Sequence, residues 1–383
     1  MAVPGPLSGI TVVDLSRILA GPYCTLLMAE LGARVIKVEP PGKGDDAREY
    51  GPFLEGRSAY FMSINRGKES ISLDLKDDAD KRIFEKLLEK ADVVVENFRP
   101  GTMEKLGYGW EQLHRRFPKL IYAAASGFGH TGPYATYPAY DMVVQGLGGI
   151  MSITGQPGGE VTRVGMSIGD IGAGLYTAVA VNAALLHRER TGEGTKVDIG
   201  MLDCQLALLE NAIVRHTTTG EIPGPLGARH PSITPFAAFP TADGHMIIAA
   251  GNDALYQKLC QTLGRADLAT DPRFQSNGLR SKNAPALHEA IAAELGQKPT
   301  AAWIALLEKA GVPCGPINNI AQALQHPQVG PRNMLVELTD PVVGSVKVAG
   351  NPMKLSAFPD PKTRPPAPAL DGDRAKILKE LGL

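Results

Sequence analysis

The first 200 residues alternate between short runs rich in valine and isoleucine and longer segments with helical patterning. The strand-like runs are residues 10–15, 34–39, 71–75, 92–96, 120–125 and 195–199. Strands that are separated by helices pair in parallel, because each connection must cross a face of the sheet. The alternation therefore predicts an α/β fold with a mostly parallel, doubly wound sheet.

Helical patterns are predicted over residues 22–31, 78–90, 202–216, 254–263 and 284–310, and the last dozen residues indicate a short helix. A long Ala-rich stretch around residues 171–186 is interpreted as a buried helix and not a membrane span. Residues 222–240 are dense in Pro and Gly, which marks a domain boundary or a crossing segment. Asp243-Gly244 lies between two apolar runs and predicts a β-hairpin.

The charges exclude some classes of function. Lys and Arg total 39 and Asp and Glu total 40, so the net charge is −1. No field of one sign exists to attract nucleic acid or an anionic membrane surface. The four cysteines are scattered and no Cys/His group has zinc spacing, which predicts no metal and a reducing compartment. The N-terminus does not read as a signal peptide, so we expect a cytoplasmic protein.

The turn after the first predicted strand is S-R-I-L-A-G-P at residues 16–22. A dinucleotide fingerprint would place three glycines here, and only Gly21 is present. A nicotinamide or flavin cofactor is therefore disfavoured. The turn would still offer backbone N–H groups to an anion, and an ordinary strand–helix turn is the alternative.

Positive residues recur near the predicted carboxyl ends of strands, where open α/β sheets bind ligands. They are Arg66, Lys68, Lys76, Arg99 and Lys105. Phe98 could pack an adenine and Asn97 could bind polar edges, so this set suits a phosphorylated nucleotide. The alternative is a solvated rim, because most surface Lys and Arg bind nothing specific.

Asp170 stands in the glycine-rich segment I-G-D-I-G-A-G at residues 168–174, before the Ala-rich helix. We predict that it is the N-cap residue and that the helix dipole keeps its carboxylate ionised. The glycines would leave room for another molecule to approach. A carboxylate nucleophile needs both charge and access, but Asp is also a common structural N-cap.

Taken together, these segments resemble the family III CoA-transferases over nearly the whole chain. The matching motifs are L-A-G-P at 19–22, G-A-R-V-I-K-V-E at 32–39, N-R-G-K-x-S-I-x-L-D-L-K at 65–76, V-E-N-F-R-P-G at 95–101, S-G-F-G-H-T-G-P at 126–133, Y-D-M-V-V-Q-G-L-G-G at 140–149, G-D-I-G-A-G at 169–174 and G-V-P-C-G-P-I-N at 311–318.

The resemblance implies that Asp170 is the catalytic nucleophile, which forms an aspartyl–acyl anhydride and then an aspartyl-CoA thioester. Coenzyme A or acyl-CoA is a substrate, and no permanently bound cofactor is implied. The implied CoA-binding residues are Leu19, Ala20, Leu73, Lys76, Asn97, Phe98, Arg99 and Lys105. The implied substrate-binding residues are Gly127, Phe128, Tyr140, Arg229 and His230.

The resemblance also implies a Rossmann-like large domain from residues 1–222 and a smaller α+β domain from residues 223–328. Residues 329–383 would return to the large domain, and two chains would interlock as a homodimer. The partners expected are therefore a second copy, acyl-CoA and carboxylic acids, without nucleic acid or membrane.

Two other functions remain open. An α-methylacyl-CoA racemase of the same superfamily needs two acid/base groups, but this chain has Tyr140-Asp141 for its His-Asp pair and Asn252 for its Glu. A non-catalytic acyl-CoA-binding protein would not need Asp170. A dehydrogenase is weakened by the missing glycines.

The segments at residues 227–236, 250–252 and 312–319 resemble those of succinyl-CoA:dicarboxylate transferases, and the mid-chain glycine run of formyl-CoA enzymes is not found. Arg229, His230 or Arg48 would bind a distal carboxylate. For Arg229 and His230 the alternative is packing in a hairpin or a subunit interface. The expected donor is succinyl-CoA, and the expected acceptor is glutarate, mesaconate or itaconate.

Overall fold

The structure is a computed structural model that describes residues 4–383. The contacts divide the chain into two compact units. The larger unit contains the residues up to Met151, Arg163–Pro223 and Pro327–Leu383. The smaller unit contains Ser152–Thr162 and Gly224–His326. The C-terminal segment thus belongs to the larger unit, where the Ser70 N–H donates to the Asp373 carboxylate at 2.9 Å.

The strands in chain order are β1 (Thr11–Asp14), β2 (Arg34–Glu39), β3 (Phe53–Leu54), β4 (Arg57–Ser58), β5 (Glu69–Ser72), β6 (Val93–Glu96), β7 (Ile121–Ser126), β8 (Lys196–Gly200), β9 (Phe236–Thr241), β10 (Gly244–Ala249), β11 (Cys314–Pro316), β12 (Leu335–Asp340), β13 (Gly344–Ala349) and β14 (Thr363–Arg364). The helices are α1 (Ala20–Glu30), α2 (Ala59–Asn65), α3 (Asp78–Lys90), α4 (Thr102–Leu106), α5 (Trp110–Arg116), α6 (Asp141–Leu147), α7 (Ile150–Ile153), α8 (Ile168–Thr191), α9 (Met201–Leu208), α10 (Glu210–Thr219), α11 (Asp253–Leu263), α12 (Ala266–Thr270), α13 (Asn277–Lys282), α14 (Ala284–Leu295), α15 (Thr300–Ala310), α16 (Ile320–Leu324) and α17 (Arg374–Leu381).

The larger unit is built on a six-stranded sheet in the order β5-β2-β1-β6-β7-β8, with every neighbouring pair parallel. This confirms the predicted α/β class with a central parallel sheet. Two antiparallel features lie outside it, the β3–β4 pair and the β12–β13 pair, to which β14 adds in parallel. The chain reverses its direction of travel between β1 and β6, and ligands bind outside the carboxyl ends of strands at such a switch point.

Both faces of the central sheet are buried because its strands are apolar at consecutive positions. Successive side chains of a strand point to opposite faces. Val13, Ile36 and Val94 pack in one cluster with Phe84 of α3, Leu113 of α5 and Ile377 of α17. Val12, Val35, Val93 and Val95 pack in the other cluster with Met28 of α1 and Val181 of α8. Helices therefore cover the sheet on both sides.

Three predicted segments differ from the structure. The strand predicted at residues 71–75 is β5, which begins earlier because its ladder with β2 starts at Glu69. The helix predicted over residues 284–310 is two helices, α14 and α15, since Pro299 is extended and caps α15. The helix predicted over residues 202–216 is also two, because Leu209 leaves helical geometry between α9 and α10.

The smaller unit contains the predicted hairpin. β9 and β10 pair antiparallel from Thr241 opposite Gly244 to Phe236 opposite Ala249, and β11 adds to β10. Its own core packs this sheet against α11, α14 and α15, with Trp303 and Phe274 fully buried. The indole N–H of Trp303 donates to the Leu295 carbonyl at 2.8 Å.

A buried network of charges lies beneath the turn that follows β1. Lys68 Nζ contacts the Asp14 carboxylate at 3.1 Å, Thr25 Oγ1 at 2.7 Å and Asn65 Oδ1 at 2.9 Å. Burial opposes the ionised Asp14, but the charges of Lys68 and Lys37 outweigh it and hold its pKa at about 2. Burial lowers the pKa of Lys68 to about 8.

The sequence suggested that Lys68 and Arg66 lie at the ligand-binding edge of the sheet, but the structure places both elsewhere. Lys68 is fully buried, and Arg66 is bound to Glu30 at 2.7 Å. They were predicted to bind phosphate only because they precede a predicted strand in the sequence. Their burial beside carboxylates assigns them to the fold.

Replacing the buried Lys68 should strongly destabilise the larger unit. Lys68→Met leaves the Asp14 carboxylate buried beside one lysine instead of two, and breaking such a pair costs about 3–5 kcal/mol. Urea unfolding should therefore show a lower midpoint. Lys86→Met, which removes an exposed pair with Glu89, is the control. An equal midpoint for the two variants would contradict the structural role of Lys68.

Candidate active site

The turn after β1 is held in a defined shape by side chains from two other segments. The Arg17 N–H donates to Asn97 Oδ1 and Asn97 Nδ2 donates to the Arg17 carbonyl, both at 2.8 Å. Ile18 has a φ of 66°, which a β-branched residue rarely adopts. The Ile18 N–H donates to Asp45 at 3.0 Å, and Asp45 is paired with the fully buried Lys37 at 2.8 Å. The network therefore fixes a strained turn.

A cavity of about 340 Å³ opens at this turn, beside the carboxyl ends of β6 and β7. It lies at the switch point of the sheet. Four segments of backbone surround it, together with Asp46, Asp170 and Met201. Its lining residues are Arg17–Ala20, Asp46, Asn97–Pro100, Ala125–Gly127, Tyr137–Tyr140, Asp170 and Met201.

A second cavity of about 600 Å³ adjoins the first, since Arg17 and Phe98 line both. The Arg17 guanidinium lies 5.5 Å from the centre of the Phe98 ring, within the range of a cation–π contact. The second cavity is otherwise lined by Leu15, Val38–Pro41, Leu73–Lys76, Thr102 and Leu106. The two cavities therefore share part of their wall.

Asp170 lies in the first turn of α8, two residues inside the helix. The N-cap is Ser167, and its side chain makes no capping hydrogen bond. The prediction that Asp170 is itself the N-cap was therefore wrong, because the helix begins at Ile168. No hydrogen bond reaches the Asp170 carboxylate from residues 4–383, and this carboxylate lines the first cavity. It is available to an incoming group.

Asp141, the first residue of α6, holds the start of α8. Its Oδ1 accepts from the Gly169 N–H at 2.8 Å, which satisfies one of the free donors of the helix terminus. Its Oδ2 accepts from Gln145 Nε2 at 2.7 Å. Gln145 Oε1 in turn accepts from the Val164 N–H at 3.0 Å. The residue next to the candidate nucleophile is thereby fixed by a buried side chain.

The environment of Asp170 favours its protonated form. Burial, and then the charge of Asp141, raise its pKa to about 7. We expected the helix dipole to keep this carboxylate fully ionised, but desolvation and a like charge outweigh the dipole. A carboxylate with such a pKa is half ionised near neutral pH and is more basic than an ordinary Asp.

The glycines around Asp170 serve packing of the protein and do not leave space for a ligand. A Cβ at Gly174 would lie 2.7 Å from the Ala20 carbonyl oxygen, and a Cβ at Gly169 would lie 3.0 Å from Asp141. A Cβ at Gly172 would lie 3.2 Å from Leu208. The predicted access is instead provided by the cavity on the other side of the carboxylate.

The structure brings most of the predicted residues together. Around the first cavity lie Leu19, Ala20, Asn97, Phe98, Arg99, Gly127, Tyr140 and Asp170, and around the second lie Leu73, Lys76 and Phe98. Lys105 is exposed on α4 and lines neither cavity. Phe128 packs against Tyr134, with ring centres 5.5 Å apart. For all of them the predicted binding roles stay predictions.

Three predicted carboxylate-binding cations have other surroundings. Arg48 is bound to both oxygens of Glu39, at 2.7 and 2.8 Å, and its guanidinium stacks on Phe61. It is therefore committed to the fold, and its predicted role was wrong. Arg229 and His230 belong to the smaller unit, where the His230 ring stacks on Phe236 and accepts from the Ile233 N–H at 3.0 Å.

Sequence reasoning missed Arg17 and the structural role of Asp141. Arg17 lines both cavities, and its position at the end of the first strand was a usable signal. Asp141 was weighed only as half of a racemase motif. It lies 28 positions from Gly169 and contacts it through a backbone N–H, which leaves no signal in the residue types.

The family model described as CoA-transferase family III matches residues 7–374. The chain is 47% identical to an acetyl-CoA:oxalate CoA-transferase of Acetobacter aceti over 98% of this chain and 96% of that protein. It is 41% identical to a succinyl-CoA:mesaconate CoA-transferase of Haloarcula hispanica, over 99% of this chain and 97% of that protein. A crystal structure of a CAIB/BAIF family protein from Brucella suis matches with a TM-score of 0.86 and 39% identity, covering 99% of this chain and all of that one.

The ionisation of Asp170 should be measurable directly. With aspartate labelled at the carboxyl carbon, the NMR signal lost in Asp170→Asn should titrate near pH 7 in the wild type. Asp141→Asn should lower this midpoint, because it removes a neighbouring negative charge while its Oδ1 can still accept from the Gly169 N–H. Asp78→Asn, an exposed change on α3, should leave it in place. A wild-type midpoint near 4 would contradict this description of the site.

Proposed function

Because this chain belongs to CoA-transferase family III and is a CoA-transferase, we propose that it moves coenzyme A from succinyl-CoA to a short dicarboxylic acid through covalent intermediates on Asp170. The observation that supports this most directly is the Asp170 carboxylate, which lines the cavity without a protein hydrogen-bond partner within the described chain. A nucleophile must be reachable in this way.

The ionised Asp170 attacks the carbonyl carbon of the donor thioester, and the carbon–sulfur bond breaks. This gives an aspartyl–acyl anhydride and the CoA thiolate. The thiolate attacks the aspartyl carbonyl, which releases the donor acid and leaves an aspartyl-CoA thioester. The acceptor carboxylate attacks the same carbonyl, forming a second anhydride and the thiolate. The thiolate then attacks the acceptor carbonyl, and Asp170 is regenerated.

The residues around Asp170 suit this sequence. The anhydride must be protected from water, and Leu19, Ala20 and Met201 supply buried apolar lining. Asp141 holds the start of α8 so that Asp170 keeps its position while its charge is consumed and restored. The raised pKa gives a more nucleophilic carboxylate at the cost of a smaller ionised fraction.

The second cavity is the proposed place for the nucleotide end of coenzyme A. Leu73, Leu75 and Val38 offer apolar surface, and Lys76 offers a cation for phosphate. The pantetheine arm would then pass Phe98 and reach Asp170 through the first cavity. The shared lining of the two cavities supports this path.

The proposed acceptor class rests on the relatives. Their names pair an acyl-CoA with oxalate or mesaconate, both short dicarboxylates. A guanidinium binds a carboxylate with two hydrogen bonds, so an arginine is the proposed type of contact for the distal carboxylate. Succinyl-CoA is the proposed donor and acetyl-CoA the first alternative.

The racemase alternative is less well supported by the side chains. Asn252 caps α11, with its Oδ1 accepting from the Leu255 N–H at 2.9 Å, and an amide cannot abstract a proton. Both Asp141 oxygens are bound, to Gly169 and Gln145. A non-catalytic binding protein would not need the free carboxylate of Asp170.

We also propose a cytoplasmic homodimer. The helix α8 is long and apolar, with half of its most apolar window buried. Its other face is exposed, with Val179 at 68% and Leu186 at 53% of full exposure. Exposed apolar side chains continue on neighbouring helices, namely Met142, Val143 and Leu147 of α6, Leu206 and Leu208 of α9, and Ile213 and Val214 of α10. A patch of this extent favours a second copy as its cover.

Transfer should depend on the Asp170 carboxylate. Purified protein given succinyl-CoA or acetyl-CoA should form the CoA thioester of glutarate, mesaconate, itaconate or oxalate. Liquid chromatography measures the rate at which the thioester appears. Asp170→Asn should reduce the rate by on the order of 10³-fold or more, and Asp78→Asn should not. Hydroxylamine added during turnover should leave a hydroxamate on the peptide that contains Asp170.

Full activity in Asp170→Asn would refute the covalent mechanism. Exchange of the α-proton of a 2-methylacyl-CoA without any acceptor acid would establish the racemase instead. Stable binding of acyl-CoA without turnover on any acid would establish the binding protein.

The apolar face of α8 should be buried in solution. Light scattering should give about twice the chain mass of 40.7 kDa. Val179→Glu places a charge in the proposed contact and should shift the protein towards the monomer. Val342→Glu, at an exposed turn between β12 and β13, should have no effect. A monomeric wild type would refute the homodimer.

A further inference from the structure

The Arg17 guanidinium is a half-buried cation at the wall that the two cavities share. Within residues 4–383 the side chain of Arg17 forms no hydrogen bond and no ion pair. Partial withdrawal of a cation from water weakens its hydration, and an anionic ligand restores the lost interactions. The position and the free charge of Arg17 therefore indicate an anionic group in the ligand.

The Arg17 side chain is held in place before a ligand binds. Its backbone N–H and carbonyl are both bound by Asn97 at 2.8 Å, which fixes the turn. Its guanidinium lies 5.5 Å from the centre of the Phe98 ring, and the Phe98 N–H donates to Glu96 at 2.7 Å. Both the base and the packing partner of the side chain are therefore fixed. Less conformational freedom is then lost when the guanidinium binds a ligand.

The carboxylates in the cavity walls that could neutralise Arg17 are bound to other cations. Asp46, which lines the first cavity, is bound to Lys43 at 2.8 Å. Glu39, which lines the second cavity, is bound through both oxygens to Arg48, at 2.7 and 2.8 Å. The positive charge of Arg17 therefore stays available to a ligand.

Two further cations line one cavity each. Arg99 is exposed at the first cavity, and Lys76 is exposed at the second. Among the described residues that line the cavities, Arg17 is thus the cation common to both. A ligand that occupies both cavities would place a group from the middle of its length beside Arg17.

We propose that Arg17 binds the diphosphate of coenzyme A, with its guanidinium donating to two phosphate oxygens. This inference rests on the proposed function, in which the nucleotide occupies the second cavity and the thioester reaches Asp170 in the first. In coenzyme A the diphosphate lies between the adenosine and the pantetheine arm. It therefore comes to the shared wall, where Arg17 lies.

A substrate carboxylate is the other anion to weigh for Arg17. The acid reacts at Asp170, which lines the first cavity and not the second. To reach Arg17 at the shared wall, its distal carboxylate would have to point back along the pantetheine arm, into space that the arm occupies. The placement of the two residues therefore favours the diphosphate, and binding of the acid is a separate outcome of the tests.

The first test compares acyl donors with and without the diphosphate, by measuring kcat/KM for succinyl-CoA and for succinyl-pantetheine. Arg17→Met should lower kcat/KM for succinyl-CoA on the order of 10- to 100-fold, the effect of losing charge-assisted hydrogen bonds. The value for succinyl-pantetheine should equal that of the parent, which also shows that the variant is folded. Arg17→Lys keeps the charge without the planar fork and should give an intermediate loss with succinyl-CoA.

The second test measures the dissociation constants of free coenzyme A and of dephospho-coenzyme A by calorimetry. Dephospho-coenzyme A lacks the phosphate on the ribose but keeps the diphosphate. Arg17→Met should therefore weaken the binding of both ligands by the same factor. Arg115→Met replaces an exposed arginine of α5 that lines neither cavity, and it should leave both constants unchanged.

Unchanged binding of coenzyme A by Arg17→Met would refute the contact. An equal loss with succinyl-CoA and succinyl-pantetheine would assign Arg17 to the pantetheine path or to the fold instead. A loss with coenzyme A but not with dephospho-coenzyme A would assign it to the ribose phosphate. A higher KM for the acceptor acid, with unchanged binding of coenzyme A, would assign it to the acid.

Each of these results leaves transfer by the wild type intact, so the proposed function would stand without this contact. A wild type that neither binds coenzyme A nor transfers it to any acid would remove both.

Discussion

The buried ion pairs beneath β1 are the interaction on which the site depends. Lys68 and Lys37 each contact a carboxylate that also binds the turn after β1, Asp14 through Ser16 and Asp45 through Ile18. Unpaired charges of this kind are costly to bury. Their pairing therefore allows the turn to hold Ile18 at a positive φ, and this turn supplies one wall of the cavity.

A second constraint is the closeness of two carboxylates. Asp141 stabilises the start of α8 through the Gly169 N–H, and the same charge opposes ionisation of Asp170. The negative charge of Asp141 thus stabilises the start of α8 but also reduces the ionised fraction of Asp170 at pH 7. A carboxylate that attacks once as an anion and is expelled once from an anhydride gains from a position between the two forms.

The sequence was sufficient for features that depend on local patterns. The Val- and Ile-rich runs predicted the parallel sheet, and Asp243-Gly244 predicted the hairpin, because strands and tight turns follow from neighbouring residues. The segment around Asp170 was found through its motif. Its surroundings were not, because the contact with Asp141 and the burial of Lys68 depend on residues far apart in the chain.

The glycines near Asp170 also show that the sequence does not predict long-range contacts. Their abundance near Asp170 suggested open space, whereas the structure fills that space with Ala20, Asp141 and Leu208. A glycine in the sequence shows that a side chain is absent, but it does not show which residues fill the space. Only the packing of α1, α6 and α9 against α8 identifies the residues that fill it.

The contact at Gly174 also has a consequence for chemistry directed at this protein. A Cβ at Gly174 would lie only 2.7 Å from the Ala20 carbonyl oxygen, so the backbones of α8 and of the first turn of α1 are closely packed there. An electrophilic inhibitor that spans Ala20 and Asp170 would meet a preformed surface, and little of its affinity would be lost to induced rearrangement.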